Sequence, residues 1–474
     1  MKRSHLAKSS LIAAALLCMG GAAHAQISLQ SAVNLALKNS PRVRAAQADV
    51  DKAKAAKSEA RDAYIPTVST TAGYGKSTGA PLDVPVIFSI SANSLVFSFS
   101  QRDIIRSTNE ALKATELALH NVEVGVVEDT TNTYLALDYA IERHAVLSQS
   151  SQYADNLVTV TSDRISLGVD PKVELPKSHR TATQIRLQML QVEDDMAANR
   201  QHLAQLTGLP ANGLMTDRNS IPEYRGSLTP SPQDVNDTPD NDGIKAAFAT
   251  ARSKMYIAFA DRRYVLRPQV VLSANYSRVD TGLSSYAAYY PRYGAADNSQ
   301  NSLGFGVQFT LPLMDMAHQA KARGSAADAA RAFADADQQR AVFREGQAKL
   351  RNAARELDLR TQLARDDREI AQDQLETMEL QLNQQNSNSQ GPQLTPKDRL
   401  NAQLQERQKY LDVLAADLQL RQTQVSLMRQ TNTLGDWILH ADSSNSVTAT
   451  PTTPETDAST PAPAPAAPSS APRR

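Results

Sequence analysis

The sequence predicts a mixed α/β membrane protein, mainly long coiled-coil α-helices, plus four β-strands per chain. Three observations predict it. The composition favours Ala, Gln, Leu, Arg, Asp and Glu, and aromatics are only 5%, which suits long amphipathic helices better than one large globular core. A seven-residue repeat runs through Ile105, Leu112, Leu119, Val126, Thr133, Ala140 and Leu147, the spacing of coiled-coil packing. Short segments of strict two-residue alternation stand between the helical ones, as in half-buried or membrane-facing strands.

The N-terminus reads as an export signal over residues 1–25. Lys2, Arg3 and Lys8 form a positive region, Leu11 to Met19 an apolar stretch too short to span a bilayer, and Ala23-His24-Ala25 a cleavage site. The one cysteine, Cys18, lies inside this signal and follows Leu17, where a lipidation site would need a small residue. Disulfide and thiolate chemistry are therefore not expected of the mature chain. Lysine plus arginine equal aspartate plus glutamate, 50 each, so the chain carries no basic nucleic-acid footprint.

From residue 26 the chain repeats itself. Pro66-x-Val68-x-x-x-Ala72-x-Tyr74 recurs as Pro268-x-Val270-x-x-x-Ala274-x-Tyr276. Phe97 with Asp103 recurs as Phe309 with Asp315, and Pro171-Lys172-x-x-Leu175 as Pro396-Lys397-x-x-Leu400. Leu206 with Gly208 has a weaker echo in Leu434 with Gly435. The matches keep their order at offsets that grow slowly, which argues for two copies of one unit, 26–210 and 242–440. A Pro-rich linker, 211–241, separates them.

Each copy reads as helix, two strands, long helix, turn, helix. The first helix is expected over Pro41 to Tyr64, with Val43, Ala46, Val50, Ala53 and Ala60 on one face. The helix after the strands, Asp103 to Leu167, would be about 98 Å long at ~1.5 Å per residue. The strands centre on Val68 to Tyr74, Val86 to Phe99, Val270 to Tyr276 and Leu303 to Leu311. The second changes phase near Asn93-Ser94, which suggests a bulge. In the last, Leu303, Phe305, Val307, Phe309 and Leu311 make one face apolar, and Gly304, Gly306, Gln308 and Thr310 the other small or polar. Tyr286, Tyr289, Tyr290 and Tyr293 beside it suit a membrane interface. Four strands cannot close a membrane barrel, which needs about eight, so several chains would have to share one. The tail, 441–474, has seven prolines after Ser443 and reads as disordered.

No H-E-x-x-H, Cys partner or phosphate-binding G-x-x-x-x-G-K-[ST] occurs, so no metal, cofactor or enzymatic chemistry is expected. Gly304-x-Gly306 reads as strand packing and Trp437 as a packing residue.

Ile27-Ser28-Leu29-Gln30-Ser31-Ala32-Val33, Ala36-Leu37 and Asn39-Ser40-Pro41, with an Ala-rich helix running on to Pro66, resemble the TolC family of outer-membrane efflux channels. Phe309-Thr310-Leu311-Pro312-Leu313-x-Asp315 resembles the family's strand-to-helix join. The resemblance spans residues 27 to 440. It implies a homotrimer in which the strands form one shared 12-stranded β-barrel in outer-membrane lipid and the helices an α-barrel across the periplasm of a Gram-negative bacterium. A periplasmic adaptor and an inner-membrane pump would dock at the helix tips. The tip residues it singles out are Gly168 with Glu174, and Gly391 with Asp398 and Asn401. The family's gating Tyr and Arg fall at Asn388 and Gln393, so its Tyr–Arg–Asp gate does not carry over. Rings of Glu174 and Asp398 would favour cations at the entrance. As helix features, the same two carboxylates would complement N-termini capped by Asp170 and Thr395, with Pro171 and Pro396 in first position. The other readings are a periplasmic coiled-coil adaptor and a structural envelope protein.

Between Asp315 and Pro396 the second copy has thirteen residues more than the first has between Asp103 and Pro171. The return helices hardly differ in length. The extra length is therefore expected mostly as a loop in the polar run Asn383 to Pro392.

Overall fold

The computed structural model describes residues 26–73, 86–224, 240–280, 299–385 and 394–439. The export signal, the tyrosines 286–293, most of the linker, Gly391 and the tail lie outside them.

The chain opens with β1 (Gln26–Ile27), α1 (Leu29–Asn39) and α2 (Pro41–Asp62). A hairpin of β2 (Thr67–Ala72) and β3 (Val86–Ser98) follows, then α3 (Phe99–Ser166) and α4 (Glu174–Thr207). After β4 (Met215–Thr216) the second copy supplies α5 (Asp242–Arg262), β5 (Gln269–Asp280), β6 (Ser299–Thr310), α6 (Met316–Gln385), α7 (Pro396–Gln430) and α8 (Leu434–Leu439). The α3 and α6 helices have 68 and 70 residues, each about 100 Å long at ~1.5 Å per residue. Among the described residues, no helix is long and apolar enough to cross a membrane.

Two short elements were not legible in the sequence. Ser28 caps α1 by accepting from the Ser31 amide, and Leu29, Ala32, Val33 and Ala36 bury one face of that helix. β1 pairs in parallel with β4, so residues 211–224 are not merely linker but fold back onto the start of the chain.

The four long strands form one antiparallel sheet, ordered β2-β3-β5-β6. Residues directly across a ladder share a face. Val68, Ala92, Ala274 and Phe305 line up, as do Thr70, Ile90, Tyr276 and Leu303. The opposite face presents Ser69, Ser91, Asn275 and Gly304 in one row, and Asn93, Ser273 and Gly306 in another. A Cβ on Gly306 would stand 3.1 Å from the Ser273 hydroxyl, so that row is also tightly fitted. The register shifts between Leu95 and Phe97 and again between Val86 and Phe88, not at Asn93-Ser94. The extra residue at Leu95/Phe97 puts Phe97 opposite Val270 on the apolar face. Continued alternation from Ile90 would have turned it to the polar one.

The helices form rows that continue the sheet. Near the strands the order is α2-α3-α5-α6; towards the far end it is α4-α3-α7-α6. The strand-to-helix joins differ between copies. β3 runs directly into α3, whose buried Asp103 is gripped by both Arg263 (2.8 and 3.0 Å) and Arg106 (3.2 Å). Five residues separate β6 from α6, where Asp315 caps the helix through the His318 amide (2.9 Å). The His318 ring bonds the same carboxylate (2.6 Å) and stacks on Tyr264 at 3.9 Å.

The largest core lies where the hairpins begin, around Leu29, Val33, Tyr134, Leu137, Leu203 and Leu434. Trp437 packs on it and donates to the Glu223 carbonyl (3.2 Å). A second cluster, Ala140, Leu147, Val192, Leu411 and Leu414, joins α3, α4 and α7. The heptad extends further than the sequence reading took it: Val126, Thr133, Ala140, Leu147, Ala154 and Thr161 are all buried.

Candidate functional site at the hairpin tips

The first hairpin turns at Gly168, whose φ of +74° favours glycine. The Gly168 and Val169 amides return to the carbonyls of Ile165 and Arg164 (3.0 and 2.9 Å), closing the end of α3. The turn holds Asp170 beside Arg164, and the guanidinium binds that carboxylate through two 3.0 Å bonds. Leu167, Val169 and Val173 crown the turn and are exposed, Leu167 by 77%.

The second hairpin reaches into this turn. Lys397, in the first turn of α7, places its ammonium 2.6 Å from Glu174 and 3.7 Å from Asp170. Lys177 takes the other Glu174 oxygen at 2.7 Å. The result is a chain of alternating charge, Arg164–Asp170–Lys397–Glu174–Lys177, that ties the two hairpins of one protomer together. Arg164 first, then Lys397, holds the Asp170 carboxyl below its ordinary range. Lys177 and then Lys397 do the same for Glu174.

Of the residues singled out from sequence, Gly168 and Glu174 belong to this cluster. Asp398 instead builds a capping box: it accepts from the Thr395 amide (2.9 Å) and hydroxyl (2.7 Å), while Thr395 accepts from the Asp398 amide. Pro396 occupies the first turn, as expected. Asn401 is exposed and lies outside the cluster. Gly391, Asn388 and Gln393 lie outside the described residues.

Two expectations change. Asp170 does not cap α4, whose N-cap position is Val173 without a side-chain bond; Asp170 serves Arg164 instead. Nor does Glu174 stand as a bare carboxylate, since two lysines flank it. Arg164 and Lys397 were not singled out as site residues. Pro171-Lys172 and Pro396-Lys397 look alike in sequence, yet Lys172 is exposed and Lys397 bridges. Only the relative height of the hairpins separates the two.

The second tip also differs from expectation. Measured from Asp103 and Asp315, α6 runs seven residues further than α3 before it ends, at Gln385 against Ser166. More than half of the thirteen extra residues are therefore helix, consistent with the helix propensity of Gln, and the remainder falls between Gln385 and Pro396.

Both carboxylates titrate below their unfolded values, so their ion pairs are complete at neutral pH and are lost as pH falls through the depressed values. Amide hydrogen exchange over 164–177 should therefore stay slow from neutral pH to about pH 4, near the reference carboxylate range, and quicken below it. Protection that fades between pH 8 and 6 would contradict this pairing.

Residues 32–209 match the family described as outer membrane efflux protein. No curated protein matches the sequence. Several solved structures do match in fold. The CmeC outer membrane channel of Campylobacter jejuni aligns at 14% identity over 86% of each chain, with a TM-score of 0.68. VceC, an outer membrane protein of Vibrio cholerae, aligns at 17% identity over 86% of this chain and 96% of its own, with a TM-score of 0.65. The open state of the MtrE outer membrane channel of Neisseria gonorrhoeae aligns at 14% identity, over 87% of this chain and 91% of its own, with a TM-score of 0.66.

Proposed function

We propose, from the match of residues 32–209 to the outer membrane efflux protein family, that this chain is a member of it and is the exit duct of a tripartite efflux or secretion system. It sits in the outer membrane of a Gram-negative bacterium, extends into the periplasm, and conducts passively what an inner-membrane pump delivers through a periplasmic adaptor. The observation that carries this reading is the two-faced sheet whose edges, β2 and β6, are unpaired among the described residues. One face suits lipid and the other a wet lumen, and a bilayer tolerates no open edge. Three chains sharing twelve strands satisfy both demands. The helices below supply the reach across the periplasm. An adaptor would have one hairpin and compact β-domains, and a purely structural coiled coil would leave the apolar sheet face without a purpose.

In this reading the tips form the periplasmic entrance, bordered by Gly168, Glu174, Asp398 and Asn401. The exposed Leu167, Val169 and Val173 crown is the surface offered to the adaptor. Residues 1–25 act as the export signal.

The test has two parts. Native mass spectrometry of the detergent-extracted protein should give a trimer; a stable monomer with intact β-structure would refute the shared barrel. In planar bilayers, Lys397→Glu should place like charges together at the tips, part the hairpins and raise single-channel conductance several-fold, while Lys172→Glu changes it little. Equal conductance in both variants would mean that the Lys397 cluster does not restrict the entrance.

A further inference from the structure

An arginine closes the helix end of the sheet's apolar face. β5 is entered through Leu266-Arg267-Pro268, where the first copy has Tyr64-Ile65-Pro66. Leu266 holds a left-handed backbone, with φ at +59°, a strained conformation for a side chain of its size. Its amide donates to the Pro312 carbonyl (3.0 Å), which fixes the turn against the end of β6. Its own side chain is 64% exposed. The turn lays the Arg267 guanidinium over the Phe99 ring, 4.8 Å from its centre. Phe99 in turn packs edge-on against Phe97 (4.8 Å), which the bulge at Leu95/Phe97 places opposite Val270 on the apolar face. The bulge therefore decides the side: Arg267 stands at the rim of the face that the exit-duct reading turns to lipid.

No carboxylate of this joint pairs with Arg267 among the described residues. Asp103 is taken by Arg263 and Arg106. Asp261 takes Lys321 (2.9 Å), and Asp315 the His318 ring. Asp62 is exposed and pairs with no cation among the described residues. Arg102, one turn along α3 on the side of Phe99, is exposed and likewise makes no ion pair among the described residues. In the same joint Leu266, Leu311, Leu313 and Met314 are exposed. Leu311 continues the alternation of Phe305, Val307 and Phe309, so it belongs to the apolar face. Exposed leucines are ill-suited to water and a guanidinium to hydrocarbon. Both are satisfied where headgroup meets acyl chain.

We infer that Arg267 holds the phosphate of a glycerophospholipid of the periplasmic leaflet. Phe99 keeps the guanidinium flat through a cation–π contact, and the N–H fork is left to grip two phosphate oxygens. Arg102 adds a second positive charge on the same side, and Leu266 lies against the acyl chain. The first copy has Ile65 in place of Arg267, so each chain offers one such seat. The seat rests on the exit-duct reading, which puts the helices, and with them this end of the sheet, on the periplasmic side. Its effect is to fix the depth of the sheet in the membrane.

The test is native mass spectrometry of the intact protein, extracted in detergent and titrated with phosphatidylglycerol. Arg267→Ala should weaken retention of the lipid about tenfold, the loss expected for one charge-assisted contact to a phosphate. Phe99→Leu should weaken it less, and Arg180→Ala, at the hairpin tip, should leave it unchanged. Should the alanine variant fail to assemble, Arg267→Gln keeps the stem, removes the charge and should show the same loss. Equal retention by the wild type and by either Arg267 variant would overturn the seat while leaving the shared barrel standing. Displacement of the lipid by inorganic phosphate would overturn it too, by assigning Arg267 to a free anion. Extraction of the unaltered protein as a monomer without detergent would instead refute the exit-duct reading itself.

Discussion

Replacing Tyr134 with alanine should loosen the core that joins α1, α3, α4 and α7. The side chain is fully buried. Its hydroxyl donates to the Ile27 carbonyl (2.7 Å) and accepts from the Asp217 amide (2.7 Å), beside Ser220 at 3.0 Å. Ser220 in turn accepts from the Leu29 amide (3.0 Å). One phenol thus ties together the chain start, the segment after the first copy and the middle of α3. Burial pushes its pKa up to about 12, so it stays a neutral donor at any physiological pH. Removing a large aromatic from such a site costs about 3–5 kcal/mol through lost transfer energy and the cavity left behind. Tyr134→Phe keeps the ring but leaves the Asp217 amide and the Ile27 carbonyl only their 3.3 Å bond to each other, at a cost of about 1 kcal/mol. Thermal unfolding in detergent, with limited proteolysis at 211–224, should rank wild type above Tyr134→Phe above Tyr134→Ala. A phenylalanine variant as stable as wild type would show that the hydroxyl network is dispensable.

A charge on the apolar face of β6 should have the other large effect. Phe305 is 77% exposed in the isolated chain and lies in a row with Ala274, Ala92 and Val68. Arginine at the midplane of a membrane barrel costs about 2–4 kcal/mol on the lipid face and far less on the lumen face. In the proposed trimer that cost is borne three times. Phe305→Arg should therefore sharply reduce the folded, membrane-inserted trimer recovered from the outer-membrane fraction. Asn275→Arg, one residue along β5 and on the polar face, should leave the yield nearly unchanged. If both variants assemble equally well, the apolar face does not meet lipid.

The sequence by itself determined the periodic parts. A strict alternation such as Leu303 to Leu311 admits one pleat, and a seven-residue repeat such as Val126 to Leu147 admits one seam. The duplication was legible for the same reason, because Pro66 and Pro171 stand in turns between elements, where the chemistry is local. Thr395 with Asp398 was readable as a cap, since that bond closes within four residues. The tertiary structure alone decided what depends on register between distant segments. β1 and β4 are two residues each and have no periodicity to reveal them. The bulge at Leu95/Phe97 was misplaced by two residues because only pairing with Val270 shows which residue is extra. Asp170 looked like a cap from its position, but Arg164 lies one turn away in space and binds both of its oxygens. Lys397 bridges and Lys172 does not, although each closes a Pro-Lys dipeptide. The difference lies in how high one hairpin stands against the other, which is set by packing summed along about 100 Å of helix and written in no single motif.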